Sequence, residues 1–563
     1  MSQTQPVRKT GPKNDSVAGL SIGDYLIRRL QEFGIRDVFG IPGDYVLGFY
    51  SMLEQSPLNL VGCCREDNAG FAADAYARVN GMGAVCVTYG VGGLSLCNSI
   101  AGAYAEKSPV VVISGSPGMR ERFNNPLLHH KVRDFRTQLD VFEKICVATA
   151  ELSDPALAFR EIDRVLVACA RNKRPVYIEI PRDMVKVVPG VPYEFRQAEP
   201  SSDPEALAEA VGEAVRLIND CRKPVILAGV EIHRYGLQDE LLNFAESSRI
   251  PIACTMMGKS VVAETHPLFA GLYEGAMSRA QVTQFVEESD CLILLGTFMT
   301  DIDLGIYTAK LDPGKCIYAM SDDLQIRHHH YHDVQLGDFI RALTARRPQP
   351  PERKVPHHPS LNGDKFELRP EAPISITRLM QRLNESLDDR TIVISDVGDA
   401  LFAATELMTR GRTEFIGPAY YTSMGFAVPG TVGAATARPD VRTVALVGDG
   451  AFQMTGNELS TIVRRGCHSI VIVLDNHGYG TERFLHPGEY EYNEIHPWHY
   501  YKLPEVLGGG TGYDVRTEGE FDAALQQAWS DKRMSLIQVH LALDDRSPAL
   551  DRLAEHLGKR VGG

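Results

Sequence analysis

The chain has 563 residues, 44% apolar and 23% charged, with 58 Lys and Arg against 72 Asp and Glu and a formal net charge of −14 at pH 7. These are globular proportions on a chain long enough for three or four cores, so wholesale disorder is excluded and no disulfide or metal staples are needed. So acidic a surface repels phosphate backbones, which excludes nucleic acid as a general partner, and no run approaches the ~20 apolar residues of a membrane span.

The 11 cysteines are an odd number, scattered and without a C-x-x-C pair, so neither a secreted disulfide framework, a zinc site nor a redox dithiol is indicated. Residues 1–20 are polar, contain Pro and Gly, and lack the apolar core of a signal peptide. They read as a loose tail on a cytoplasmic protein.

From residue 21 to 187, helical patterns alternate with short apolar runs at Asp37–Ile41, Leu58–Cys64, Ala84–Thr88, Pro109–Ser114 and Pro175–Ile180. Strands alternating with helices imply βαβ units and a parallel sheet covered on both faces. Residues 188–203, rich in Pro, Ser and Glu, read as a joint. The alternation repeats from 204 to 345 at Pro224–Leu227, Ile250–Cys254, Cys291–Leu295 and Lys315–Ala319. Residues 346–373 carry Pro348, Pro350, Pro351, Pro356, Pro359, Pro370 and Pro373, a density that excludes a helix and favours an extended linker. From 374 to 563 the pattern returns at Thr391–Ser395, Thr443–Val447, Ile470–Leu474 and Ser535–Leu541. The expected fold is α/β, with three doubly wound parallel-sheet domains in series. In such sheets ligands sit beyond the carboxyl ends of the strands. The middle stretch has Gly229 and Gly236 but no G-x-G-x-x-G run, so no dinucleotide or flavin is expected there.

The run Thr443–Val447 leads straight into Gly448-Asp449-Gly450-Ala451-Phe452, and the run Ile470–Leu474 ends at Asp475-Asn476-His477-Gly478. Asp449 brings an ionised carboxylate to one strand end, Asn476 an amide oxygen to another, and Gly478 a backbone carbonyl. These are hard oxygen ligands of the kind Mg²⁺ takes, with phosphate and water completing its octahedron. Gly448 and Gly450 let the backbone approach a diphosphate, and the helix start that follows favours its charge. A lone Gly-Asp-Gly is a common tight turn; with the spaced Asn it is far more specific.

That combination resembles the diphosphate-binding motif of thiamine diphosphate enzymes. Gly40-Ile41-Pro42-Gly43-Asp44-Tyr45, Cys63-Cys64-Arg65-Glu66, the helix Asn68–Arg78 and the pair His129-His130 are similar to those of the pyruvate and indolepyruvate decarboxylases. The resemblance runs from about Ser21 to the end, in the order pyrimidine-binding domain (21–187), middle domain (204–345) and diphosphate-binding domain (374–563). It implies thiamine diphosphate and Mg²⁺ as cofactors and a non-oxidative 2-keto acid decarboxylase, releasing an aldehyde and CO₂. It also implies a homodimer in which the pyrimidine domain of one subunit faces the diphosphate domain of the other, two such dimers forming a homotetramer.

Residue by residue, the resemblance makes Glu66 the carboxyl at the aminopyrimidine ring nitrogen. His129 and His130 become proton-relaying histidines, with Asp44 the carboxylate partner of the second, and Glu482 a catalytic acid. Asp449, Asn476 and Gly478 become the metal ligands. Val397, Asp399, Thr422, Ser423, Gly448, Gly450, Ala451, Tyr479 and Gly480 join them around the cofactor. Met424 takes the place of the large apolar wedge that bends it. Pyruvate-selective relatives carry Trp at the position of Leu401 and Ile at that of Thr481, so Leu401, Thr481 and Leu485 imply a wider substrate pocket for a bulky keto acid such as indolepyruvate, phenylpyruvate or a branched-chain acid. The sequence departs from the family pattern at Ala451, where several relatives have Ser, at Asp475, where many have Asn, and at His477 and Gly480. The alternatives are a pyruvate decarboxylase, or an acetohydroxyacid synthase or benzoylformate-type enzyme, with His129-His130 speaking against the synthase. A cofactor-binding scaffold without chemistry is the non-enzyme alternative, and Glu66 and Glu482 together speak against it.

Overall fold

Continuous β-branched runs set the three sheets. The computed structural model describes residues 17, 19–196, 200–356, 366–411 and 414–553. Nearly all of the expected tail, residues 1–16 and 18, lies outside them. The first sheet contains β1 (Asp37–Gly40), β2 (Asn59–Gly62), β3 (Gly83–Val87), β4 (Val110–Ser116), β5 (Ala148–Glu151) and β6 (Val176–Pro181), in the order β2-β1-β3-β4-β6-β5 with every pair parallel. β3, β4 and β6 are buried along their whole length, as strands covered by helices on both faces must be. The helix Ile22–Glu32 starts in a capping box between Ser21 and Asp24, and Tyr25 and Arg29 carry it onto the buried Asp163, whose carboxylate takes the Tyr25 hydroxyl at 2.5 Å.

The second sheet holds β7 (Pro224–Ala228), β8 (Ile252–Cys254), β9 (Phe269–Leu272), β10 (Cys291–Leu295), β11 (Cys316–Ala319), β12 (Asp323–Ile326) and β13 (His329–His332), in the order β13-β12-β11-β10-β7-β8-β9. This sheet is parallel, as expected, except at one side, where β12 runs antiparallel to β11 and β13 antiparallel to β12. The connections between them are too short for a parallel crossover, which needs a dozen residues or more. The third sheet holds β14 (Thr391–Ser395), β15 (Glu414–Ile416), β16 (Arg442–Gly448), β17 (Ser469–Asp475), β18 (Thr511–Val515) and β19 (Ser535–His540), all parallel, in the order β15-β14-β16-β17-β19-β18.

The chain divides into two compact units, one carrying the first sheet, the other carrying the second and third sheets together with the strap Ala105–Lys107. In the first and third sheets the strand order reverses between β1 and β3 and between β14 and β16. Crevices at such switch points, beyond the carboxyl ends of the strands, are where open α/β sheets bind ligands.

Within the second unit, two acids are buried beside an apolar cluster of Met256, Met277, Leu401, Phe402 and Ala419. Asp303 accepts the Met256 N–H at 3.1 Å, while its Oδ2 and the Oε1 of Glu274 have no hydrogen-bond partner. Burial, reinforced by the charge of Glu274, pushes the Asp303 carboxyl up to about 8, and burial pushes Glu274 up to about 7. An unfolded carboxyl titrates near ~4, so the folded state keeps protons that the unfolded chain has lost. The stability these groups add is full below pH ~4 and is lost as pH rises toward ~8. Asp303→Asn is therefore expected to raise Tm at pH 8 by roughly 2–4 °C for each ~1 kcal/mol recovered, with little change at pH 4.5. Calorimetric scans of wild type and variant across this range check it.

Candidate active site

The first sheet's switch point gathers the N-terminal candidates. β1 ends at Gly40, and the turn Gly43-Asp44-Tyr45 follows. A Cβ on Gly43 would lie 2.4 Å from the Thr88 side chain, so only glycine lets this turn rest on the end of β3. β2 delivers Cys63-Cys64-Arg65 to the helix Glu66–Asn80, of which Glu66 is the first residue; the expected helix, Asn68–Arg78, begins two residues later. Glu66 is half-buried, and a methyl group on Gly92 would come within 3.6 Å of its Oε1, so Gly92 keeps the space before the carboxylate open.

His129 and His130 lie in the loop that follows β4. Asp44 Oδ2 sits 2.7 Å from His129 Nε2 and 4.0 Å from an Arg182 guanidinium nitrogen. The pairing therefore differs from the expectation: the carboxylate serves the first histidine, not the second. The cause is Tyr45, whose ring stacks on His129 at 4.8 Å and whose hydroxyl donates to the His129 carbonyl at 3.3 Å, turning that imidazole over Asp44. His130 stands edge-on to Tyr45 with a left-handed backbone (φ +67), its carbonyl packed on Gly90 and its Nδ1 buried without a partner. The motif reading missed Tyr45 and Arg182; Arg182 lies over the Tyr45 ring and is itself held by Glu121.

The third sheet gathers the rest. Asp449, buried at the end of β16, accepts the Gly450 N–H at 2.7 Å through Oδ1 and the Gly478 N–H at 3.0 Å through Oδ2. Asp449, Asn476 and Gly478 thus meet where β16 and β17 end. Burial, with Asp475 next to it, pushes the Asp449 carboxyl up to about 7. Asp475 is buried too, taking Gln538 at 2.6 Å with His540 at 3.3 Å. Open space surrounds the position a Gly448 Cβ would take, whereas one on Gly450 would meet the Tyr479 ring at 2.6 Å. Arg483 locks the loop, its guanidinium donating to the carbonyls of Asn476 (3.1 Å), His477 (2.7 Å) and Asn493 (3.3 Å). An acidic carboxylate, an amide oxygen and an open glycine backbone fit a divalent cation carrying a diphosphate. Glu482 lies exposed in the helix Gly480–Leu485.

Two carboxylates the sequence reading passed over hold the loop of Thr422, Ser423 and Met424. Asp396, buried after β14, accepts the N–H groups of Val397 and Gly425 at 3.0 Å and of Ala427 at 2.8 Å. Glu106, buried in the strap, accepts those of Tyr420 and Tyr421, each at 2.7 Å. So fixed, Thr422 is held at φ +54 and Met424 projects with 39% of its surface exposed. Asp399 accepts the Ser547 N–H at 2.8 Å and the Ser547 hydroxyl through its carboxylate. Among the pocket candidates, Leu401 is 1% exposed and packed in an apolar cluster with Met256 and Ala419, while Leu485 is exposed and Thr481 half-buried. A cleft of about 240 Å³ lined by Asp388, Arg390, Arg442 and Trp529 lies at the opposite, N-terminal ends of β14 and β16, where such sheets do not bind ligands.

Three family models match: "Thiamine pyrophosphate enzyme, N-terminal TPP binding domain" over residues 20–137, its central domain over 211–346, and its C-terminal TPP binding domain over 396–539. The chain is 36% identical over 551 residues to the indole-3-pyruvate decarboxylase of Azospirillum brasilense, covering 95% of this chain and 98% of that protein. It is 36% identical over 534 residues to an alpha-keto-acid decarboxylase of Mycolicibacterium paratuberculosis, covering 92% and 94%, and 32% identical over 564 residues to pyruvate decarboxylase 3 of Arabidopsis thaliana, covering 97% and 95%.

Proposed function

The chain belongs to the thiamine diphosphate-dependent 2-keto acid decarboxylases, and on that premise we propose that it acts on a bulky keto acid, aromatic or branched, with Mg²⁺ seating the cofactor's diphosphate. The observation that carries the reading is the meeting of β16 and β17 at Asp449, where one carboxylate is oriented by both strand ends.

Bound thiamine diphosphate supplies the electron sink that accepts the bonding pair as CO₂ leaves. The chain's own groups do the rest. Asp449, Asn476 and the Gly478 carbonyl hold the cation, and Gly448 and Gly450 admit the diphosphate. Met424, held out by Asp396 and Glu106, gives the cofactor an apolar support. Glu66 holds a proton at the aminopyrimidine ring nitrogen, with Gly92 leaving room for the ring. The Asp44–His129 pair keeps a proton on the imidazole for transfer at the reacting carbon, and His130 and Glu482 complete the proton-handling set.

A homodimer with shared sites, paired into a tetramer, is part of this reading. The loop carrying His129 exposes Phe123, Val132 and Leu127, the last 98% exposed; Leu47 and Val91, just past Asp44 and Gly90, are exposed as well. Apolar surface of that extent beside catalytic groups calls for cover, which the diphosphate domain of a second subunit supplies. No helix among the described residues is long and apolar enough to cross a membrane. The eleven free cysteines agree with a reducing, cytoplasmic setting.

The preference for bulk rests on Thr481 and Leu485; a larger residue at 401 would overpack a full cluster rather than trim a wall. Purified enzyme with Mg²⁺ and thiamine diphosphate is expected to favour indolepyruvate or phenylpyruvate over pyruvate by at least ~10-fold in kcat/KM, and Thr481→Ile to narrow that ratio by ~10-fold, the worth of one or two methylenes in a pocket. A panel measuring aldehyde and CO₂ decides it; a wild-type preference for pyruvate removes the wide pocket.

A further inference from the structure

The register of the third sheet lines up a row of polar side chains across its carboxyl end. Gly448 pairs with Leu474, so Asp449 and Asp475 leave β16 and β17 side by side. Asp475 pairs with His540 on β19, and Gln538, two residues earlier and therefore on the same face, pairs with Asp514 on β18. Neighbouring strands lie only ~4.7–4.9 Å apart, so each side chain reaches the next. The contacts run unbroken along the row. Asp475 is 2% exposed and in side-chain hydrogen-bond contact with Asp449. Its Oδ2 accepts from Gln538 Nε2 at 2.6 Å and lies 3.3 Å from His540 Nδ1, while His477 Nδ1 stands 3.3 Å from Oδ1. The far nitrogen of His540, Nε2, lies 2.5 Å from Asp514 Oδ1. The proton-handling set above uses neither Asp475, His540 nor Asp514.

A carboxylate taken out of water needs partners. Asp475 has them on the β19 side, but on the β16 side it faces a second acid. Two carboxylates that close repel when both are charged, and a divalent cation on one of them relieves the repulsion. Asp475 therefore adds to the pull on a cation at Asp449 without being one of its ligands. Its own direction is set from behind, by Gln538 and by the imidazole that Asp514 holds. Groups that stand behind a ligating side chain in this way change metal affinity by ~10–100-fold when they are removed.

We propose that Asp475, His540 and Asp514 form a positioning chain for the cation site. Asp475 orients the Asp449 carboxylate and sets a further negative charge beside it; His540, held by Asp514, orients Asp475. The inference rests on the reading of Asp449 as a cation ligand.

The test measures cation affinity without turnover. Mn²⁺, which suits the same carboxylate, carbonyl and water donors as Mg²⁺, is titrated into full-length enzyme with thiamine diphosphate, and the free ion is read by electron paramagnetic resonance. Asp475→Asn and His540→Gln are each expected to raise the Mn²⁺ Kd by ~10-fold or more, with kcat close to wild type once cation and cofactor saturate. In the Asp475→Asn background His540→Gln should add little, because members of one chain are not additive whereas independent groups are. The Tm of the apoenzyme reports separately on folding: a merely structural role lowers Tm and leaves the Kd of the folded protein alone. Asp514→Asn, at the exposed rim of the sheet, keeps the test open should the buried variants unfold, and is expected to raise the Kd as well. A wild-type Kd in the single variants, or losses that simply multiply in the double variant, would overturn the chain. Asp449→Asn separates this failure from failure of the site itself: if Asp449→Asn weakens Mn²⁺ and the others do not, only the chain falls, and if it too binds like wild type, the cation reading falls with it.

Discussion

Glu66→Gln is expected to lower kcat by ~10²–10⁴-fold, the usual worth of a positioned proton-transfer group, while cofactor affinity changes far less. The substitution keeps the volume and one acceptor and removes the ability to hold a proton against the pyrimidine. Folding is not the cause of the loss. Glu66 is the first residue of its helix, half-buried, and its favourable interaction with the helix dipole is worth only ~0.3–1 kcal/mol. The discriminating measurement is deuterium exchange at thiazolium C2 of the bound cofactor, read by NMR after acid quench. Exchange should slow in step with kcat in Glu66→Gln and stay fast in His129→Gln, which handles a later proton. Wild-type exchange in Glu66→Gln would remove the assignment.

Asp449→Asn should act on retention of the cofactor rather than on its activation. Asn keeps an acceptor for the Gly450 N–H but removes the charge and turns an amide N–H₂ toward the ion. At ~1.4 kcal/mol per factor of ten, a loss of ~3 kcal/mol raises the Mg²⁺ and thiamine diphosphate needed for half-activation by ~100-fold, and excess of both should recover part of the activity. Equilibrium dialysis of both ligands, with Tm as a folding control, checks this. Mixing the two variants then tests the shared site. If each site takes Glu66 from one subunit and Asp449 from the other, a hybrid dimer carries one doubly damaged site and one intact one. Random subunit exchange should then restore about a quarter of wild-type activity from two nearly inactive proteins. Sites built within one chain would restore nothing.

The buried parallel strands were legible because a strand covered on both faces needs an unbroken apolar run; Cys291–Leu295 and Thr391–Ser395 are read to the residue. Other strands were not: β5, β12 and β18 carry polar residues on an open face, and His329–His332 has one buried residue in four, so no run betrays them. The proposed cation ligands could be singled out from the sequence because Asp449 and Asn476 leave adjacent strand ends at a spacing few other arrangements share. Partnership is another matter. Nothing in His129-His130 says which ring meets Asp44; that follows from the stacking of Tyr45. Asp396 and Asp399 are equally plausible on paper, yet backbone direction gives one to the Met424 loop and the other to Ser547. Glu106 lies over 300 residues from the amides it holds, beyond the reach of any local pattern.

The grip of Arg483 on three carbonyls bears on the speed of uptake. A loop already fixed by three guanidinium bonds surrenders little conformational entropy when a ligand arrives. Reconstitution of the apoenzyme with Mg²⁺ and thiamine diphosphate is therefore expected to follow a single exponential, without a slow phase from ordering of this loop.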